Sequence, residues 1–136
     1  MIRWLPSRAV VIIHRELVLE HGGTLGIRDE SALDSALARP LNRHAYNRSD
    51  DVYELAAAYG YGLCCNHPFI DGNKRVAFMA MYVFLRLNGF IITADEVDAA
   101  VAMESLAGGS VTETELADWL RENTRKGSRR RRGRRP

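Results

Sequence analysis

Apolar residues recur along most of this chain at intervals of three and four, the period of a helix with one buried face. Ser7 is placed to cap a first helix running to about Glu20, with Val10, Ile13, Leu17 and Val18 on one face and Gly22-Gly23 as its stop. A second, short helix carries Leu33, Ala36 and Leu37 and is expected to end near Arg39, because Pro40 has no N–H to continue it. Pro40 to Asp50 shows no helical period and reads as an irregular or extended loop. Asp50 or Asp51 then caps a third helix with Val52, Leu55, Ala56, Tyr59 and Leu63 as its stripe. Gly60 and Gly62 inside it each cost about 1 kcal/mol relative to alanine, which points to a closely packed neighbouring backbone.

The ten residues from Val76 to Leu85 are apolar all round, so a fourth helix, Asn73 to about Asn88, is expected at the buried centre. Thr93 with Glu96, and Thr112 with Glu115, have capping-box spacing and open two further helices. Val97, Ala100 and Val101 are expected to face the core in one, Leu116, Trp119 and Leu120 in the other. Ile91-Ile92 is too short to predict a sheet. The pattern predicts an all-α domain of about six helices.

At 136 residues, 46% hydrophobic and 26% charged, the chain has the length and composition of one globular domain. No apolar run approaches the ~20 residues of a membrane span, so a soluble, cytoplasmic protein is expected, with no membrane partner. The net charge of +2 hides a split. Arg125 to Pro136 holds eight of the nineteen basic residues and no acid, leaving eleven basic against seventeen acidic groups, a net of −6, in residues 1–124. The expected division is a domain over 1–124 and a basic, disordered tail over 125–136. The tail from Arg125 to Arg135 has the composition to bind nucleic acid through phosphates, or to be a solvated end. Cys64 and Cys65 are adjacent, which suits neither a disulfide nor C-x-x-C metal spacing, and read as reduced packing residues.

Between the third and fourth helices stands H-P-F-I-D-G-N-K-R, His67 to Arg75. The Gly72-Asn73 step opens a helix whose first N–H groups have no intrahelical acceptor, a ready site for a phosphate. Asp71, just before it, is a hard oxygen ligand able to hold Mg²⁺ against the same phosphates. Lys74 and Arg75 oppose the helix dipole at a cost of about 0.3–1 kcal/mol each unless an anion lies nearby. His67, with an ordinary pKa of ~6.5, is suited to accept a hydroxyl proton as general base. Phe69 alternates with His67, so an outward histidine leaves the phenylalanine to anchor the loop in the core. Taken singly, each residue has a bland reading as part of a capped interhelical loop; the ordered nine together do not. His14, on the apolar face of the first helix, reads as a satisfied, partly buried histidine rather than a ligand.

This motif resembles the signature of the Fic/Doc family, H-P-F-x-[D/E]-G-N-G-R-x-x-R in its Fic branch, with the N-K-R variant of Doc-type (death-on-curing) toxins at Lys74. The H-G-G that ends the first helix, the following G-I-R-D, and R-L-N-G after the motif helix extend the likeness over about residues 3–124. The resemblance implies the all-α Fic fold, with ATP and Mg²⁺ used to modify a protein hydroxyl. His67 matches the catalytic base, Asp71 the metal ligand, and Gly72, Asn73 and Arg75 the phosphate-binding loop. Pro40 to Asp50 falls where the family places a flap over the target chain.

Lys74 and Phe78 stand where the Fic branch has its second glycine and second arginine. Doc-type members share both changes, and for them the family implies phosphate transfer from ATP to a translation elongation factor. Gly72 is Fic-like and keeps AMP transfer as an alternative. The self-inhibitory pattern [S/T]-x-x-x-E-[G/N] is absent, since Asp118 stands where its hydroxyl residue would precede Glu122-Asn123. The expectation is a toxin restrained by a separate antitoxin. A rival of another class is a non-catalytic module that carries the basic tail to nucleic acid, against which the intact His67, Asp71, Asn73 and Arg75 set argues.

Overall fold

Four of the helices in a computed structural model, which describes residues 1–127, begin at a side chain that accepts from an otherwise unpaired N–H. Asp29 opens α2 (Glu30–Asn47), Asp51 opens α3 (Val52–Asn66), Asp95 opens α5 (Glu96–Ala107), and Thr112 with Glu115 forms the expected capping box of α6 (Glu113–Glu122). Such caps contribute about 1 kcal/mol each. The other two helices, α1 (Ser7–His21) and α4 (Asn73–Leu87), have no side-chain cap. Two expected caps therefore move. Ser7 is already the first residue of α1, behind Pro6. Thr93 does not cap α5 because its N–H and hydroxyl both donate to the Asn123 carbonyl, at 2.7 and 3.1 Å.

The largest departure from the expected pattern is α2, which continues as helix through Pro40 to Asn47, so there is no loop over 40–50. An interior proline leaves the carbonyl four residues back unpaired, here that of Ala36, at a cost of about 3 kcal/mol. Tertiary contacts offset it. Pro40 is itself buried, and Arg39 and Arg43 on the next turn both reach Glu113 of α6, at 2.6 and 3.1 Å. Gly62 of α3 approaches so closely that a Cβ there would sit 3.1 Å from the Ala36 oxygen and 3.0 Å from its Cα.

That close approach makes α3 the most enclosed helix, with nine of its fifteen residues buried. Its alanines and glycines let α2, α4, α5 and α6 pack around it. The Tyr59 hydroxyl ties the N-terminal segment to it, accepting from the Leu5 N–H at 3.0 Å and donating to the Leu5 carbonyl at 3.2 Å. The motif helix α4 buries Val76, Ala77, Ala80, Met81, Phe84 and Leu85 but leaves Phe78, Met79, Tyr82 and Val83 partly exposed. In α5 the inward face is Ala99, Met103 and Leu106, while Val97 and Val101 are 71% and 59% exposed and Ala100 is exposed too. Both faces of α5 have helical spacing, and the one with the larger residues, Met103 and Leu106, won.

A short sheet completes the fold. Phe90–Ile92 (β1) pairs antiparallel with Thr124–Lys126 (β2), Ile91 opposite Arg125. The partner of Ile91-Ile92 lies beyond two helices, which is why local pattern does not predict it. Arg125 and Lys126, assigned to the tail by charge, belong to this sheet; the rest of the basic segment, Arg129 to Arg135, lies outside the described residues.

Gly62→Ala tests the α2–α3 contact. Helix propensity alone would make the change stabilising by about 1 kcal/mol. Because the atoms in the way are backbone, overpacking of roughly 1–3 kcal/mol is expected to prevail, and chemical denaturation should show a lowered midpoint.

Candidate active site

The loop between α3 and α4 is built from α3's last carbonyls outward. Asn66 ends the helix, and His67 turns the chain at φ 49°, in the left-handed region. Arg28 takes both terminal carbonyls: its Nε donates to His67 O at 2.6 Å and its Nη2 to Asn66 O at 3.0 Å. A cation there also complements the helix dipole. The backbone N–H groups of Arg28 and Asp29 donate to Pro68 O at 2.7 and 3.1 Å, and Ile70 N–H donates to Gly26 O at 3.1 Å. Residues 26–29, the G-I-R-D segment, thus hold the loop from one side. His67 is exposed and Phe69 is buried, the alternation expected of them.

Asn73 holds the loop from the other side. Its Oδ1 accepts from Phe69 N–H and its Nδ2 donates to Phe69 O, both at 3.0 Å. Its side chain is therefore committed to the backbone, and what it can offer an anion is its own N–H at the start of α4. Asp71 points its Oδ1 at Gly72 N–H, 3.1 Å away, and its Oδ2 at Thr24 N–H, 3.3 Å away. Gly72, at φ 79°, is the N-cap residue of α4, and no side chain covers that helix's first turn. The uncovered N–H groups and the dipole together make an anion site.

In front of this turn opens a cleft of about 640 Å³, within the usual range of ligand pockets. Asp71, Gly72, Asn73, Lys74 and Arg75 form one side, Glu96 and Glu104 of α5 another, with Leu17 and His21 of α1 and Phe78 and Met79 of α4 completing it. Lys74 Nζ lies 2.8 Å from Glu104 Oε2, both side chains being largely exposed. An ion pair of that kind contributes about 0–1 kcal/mol, so the lysine is readily given up to a stronger anion. Arg75 has no ion pair among the described residues. The structure thus gathers Asp71, Gly72, Asn73, Lys74 and Arg75 around one cleft, while His67 stands outside its lining, exposed at the end of α3.

The donor set suits one kind of metal. Among the described residues no group of three or more His, Cys, Asp or Glu forms a metal cage. Mg²⁺ commonly binds through one or two carboxylates with phosphates and water supplying the rest. Asp71, exposed and with each oxygen holding only one N–H, fits that role.

Three other residues fall into place around the site. His14 is buried, as expected, with its Nε2–H donating to Asp71 O at 2.8 Å. Burial, with the neighbouring Cys65, pushes the Cys64 thiol up to about 11, and burial raises that of Cys65 against the opposing effect of Arg39. Neither is a thiolate near neutral pH, in keeping with packing roles.

The sequence model of the Fic/DOC family matches residues 4–85, from the N-terminal segment to the last turns of α4. The chain belongs to that family. Two characterised relatives are similar over longer or closer stretches. "Protein kinase doc" of Escherichia phage P1 is 29% identical over 119 residues, covering 88% of this chain and 94% of that protein. "Toxin Doc" of Mycolicibacterium smegmatis is 43% identical over 84 residues, 58% of this chain and 62% of that protein. The Fic/DOC match covers the motif loop and three of the helices that hold it in full.

Asn73→Asp tests the loop clamp. The aspartate keeps an acceptor for Phe69 N–H but turns a carboxylate oxygen toward Phe69 O. A new anion at the start of α4 should gain about 0.3–1 kcal/mol, less than the roughly 1–3 kcal/mol for a lost donor and an unpaired carbonyl. Net destabilisation in a denaturant titration is the expected result.

Proposed function

We propose that this Fic/DOC protein is the toxin of a toxin–antitoxin pair, a cytoplasmic enzyme that transfers the terminal phosphate of ATP to a hydroxyl of a target protein. The observation that carries this reading is the loop itself: an exposed histidine at its start and, within seven residues, a carboxylate and the uncovered start of α4, these last two opening on a cleft with two cations. The names of the two relatives, a protein kinase and a toxin, support it. The target in this reading is a translation elongation factor, as in the Doc-type branch the motif resembles.

In the reaction so read, the triphosphate lies in the cleft against the N–H groups of the first turn of α4, with Lys74 and Arg75 pairing its oxygens. Asp71 would hold Mg²⁺, which when bound offsets the charge of the phosphates. His67 takes the proton of the target hydroxyl. The hydroxyl oxygen bonds to the γ-phosphorus as the bond from that phosphorus to the bridging oxygen breaks, ADP leaves, and the imidazolium returns its proton to solvent. Exposure of His67 suits a macromolecular substrate. Phe78 lines the cleft where AMP transfer in the Fic branch uses a second arginine, which favours phosphate transfer over the AMP alternative. With no self-inhibitory pattern in the chain, restraint falls to an antitoxin in trans.

Expression in a bacterium without an antitoxin is expected to arrest growth, and His67→Ala to abolish the arrest. Purified protein, Mg²⁺ and the elongation factor should then be incubated with ATP labelled at the α or the γ phosphate. Retention of γ label with a phosphate-sized mass gain on the target peptide is expected. Retention of α label with an AMP-sized gain would establish the alternative, and equal harmlessness of both variants would count against the toxin reading.

A further inference from the structure

One side chain from a separate helix grips both ends of the segment between Phe69 and the start of α4. His14, in the middle of α1, is 3% exposed. Its ring stacks on Phe69 with centroids 3.8 Å apart and planes within 10° of parallel. Its Nε2 lies 2.8 Å from the carbonyl oxygen of Asp71, and because a carbonyl only accepts, that nitrogen carries the proton. The same ring edge borders Gly72, where a Cβ would stand 3.8 Å from both His14 Cδ2 and Nε2.

Core filling accounts for the stack but not for the hydrogen bond. Asp71 is exposed, and the groups its carboxylate holds are the N–H of its own neighbour and the N–H of Thr24 in an exposed loop. His14 is the tie that runs from its backbone into the buried interior. We propose that His14 is a positioning residue: by holding the Asp71 carbonyl it sets the direction of the Asp71 carboxylate and the left-handed turn at Gly72, and through them the affinity of the cleft for a magnesium-bound nucleotide. This rests on the reading of the cleft as the nucleotide site.

Two substitutions separate the ring from the hydrogen bond. His14→Phe keeps an aromatic ring on Phe69 and removes the donor; His14→Gln keeps a donor at similar reach and removes the ring. Binding of Mg²⁺ with a non-hydrolysable ATP analogue, measured by calorimetry, is the readout, alongside the melting temperature and kcat and KM for the target. His14→Phe is expected to stay folded, melting somewhat lower because the Asp71 carbonyl loses its donor, yet to bind the magnesium complex about tenfold more weakly, as when a group orienting a metal ligand is lost. His14→Gln is expected to melt lower but bind nearer the wild type, and KM for the target should change little in either. Wild-type affinity in His14→Phe would overturn the proposal, reducing His14 to a packing residue. Should the phenylalanine variant not fold, a folded His14→Gln that has lost affinity tenfold or more would overturn it equally. Asp71→Asn is the control: a wild-type protein that binds no magnesium nucleotide, with no change in Asp71→Asn, would instead refute the cleft as nucleotide site, and this proposal with it.

Discussion

The amide of Asn73 closes on both backbone polar groups of Phe69, and this pair of hydrogen bonds holds the six-residue link between α3 and α4 in one path. A link so short, with Pro68 and Phe69 buried and exposed residues on either side, cannot leave its backbone donors and acceptors to chance. Here they are taken in turn. Arg28 and Asp29 bond Pro68 O, Asn73 bonds Phe69, Gly26 bonds Ile70 N–H, and His14 bonds Asp71 O. Among the groups left without such a bond are the imidazole of His67 and the N–H groups of the first turn of α4, the parts a reaction needs. The loop's rigidity and its chemistry are thus the same arrangement seen from its two sides.

That arrangement depends on how closely α2, α3 and α4 approach one another. Gly60 leaves room for Met81 of α4, and Gly62 for the backbone of α2 at Ala36. A larger residue at Gly62 would press on the α2 backbone and move α3, whose C-terminus carries His67, whereas one at Gly60 would first displace the flexible end of Met81. The propensity lost at Gly62 is exchanged for the close α2–α3 approach, and that lost at Gly60 for the seat of Met81. Pro40 belongs to the same contact: its burial and the Glu113 pairs of its neighbours let α2 continue past a residue that would end an isolated helix.

Much of this was legible in the sequence, and the rest was hidden for identifiable reasons. The motif's division into an outward His67 and an inward Phe69, the asymmetry of Asp51 and Thr112 as caps, and the close contact at Gly62 all follow from local chemistry, and each is present. The course of α2 through Pro40 was not legible, because propensity registers the missing N–H and not the contacts that offset it. The sheet has no local signal because β1 and β2 are far apart in the chain. The inward face of α5 is not legible in the sequence because two apolar stripes share one helix, and only the neighbours decide between them. Asn73 showed its type but not its partner; an amide four residues after Phe69 is the signal for the clamp, and it reads equally well as a phosphate ligand. Arg28 and His14 act on residues 39 and 57 positions away, where no spacing rule reaches.

The charges around the cleft impose a condition on whatever binds there. Lys74 and Arg75 face Asp71, Glu96 and Glu104, so the lining carries no excess of positive side chains with which to draw in a triphosphate. Two further sources of attraction are available: the uncovered N–H groups at the start of α4, and a divalent cation shared between phosphate and Asp71. The N–H groups correspond to a partial charge of roughly half an elementary unit, small against a polyanion. A nucleotide without its metal would therefore bring three or more negative charges to a site that is already close to balanced. With the metal it brings fewer, and Lys74 can exchange a solvent-exposed glutamate for a phosphate oxygen at little cost. The Lys74–Glu104 pair keeps the cation beside the first turn of α4 while holding it weakly, which reconciles an unfavourable position for a lysine with the use the proposed reaction makes of it.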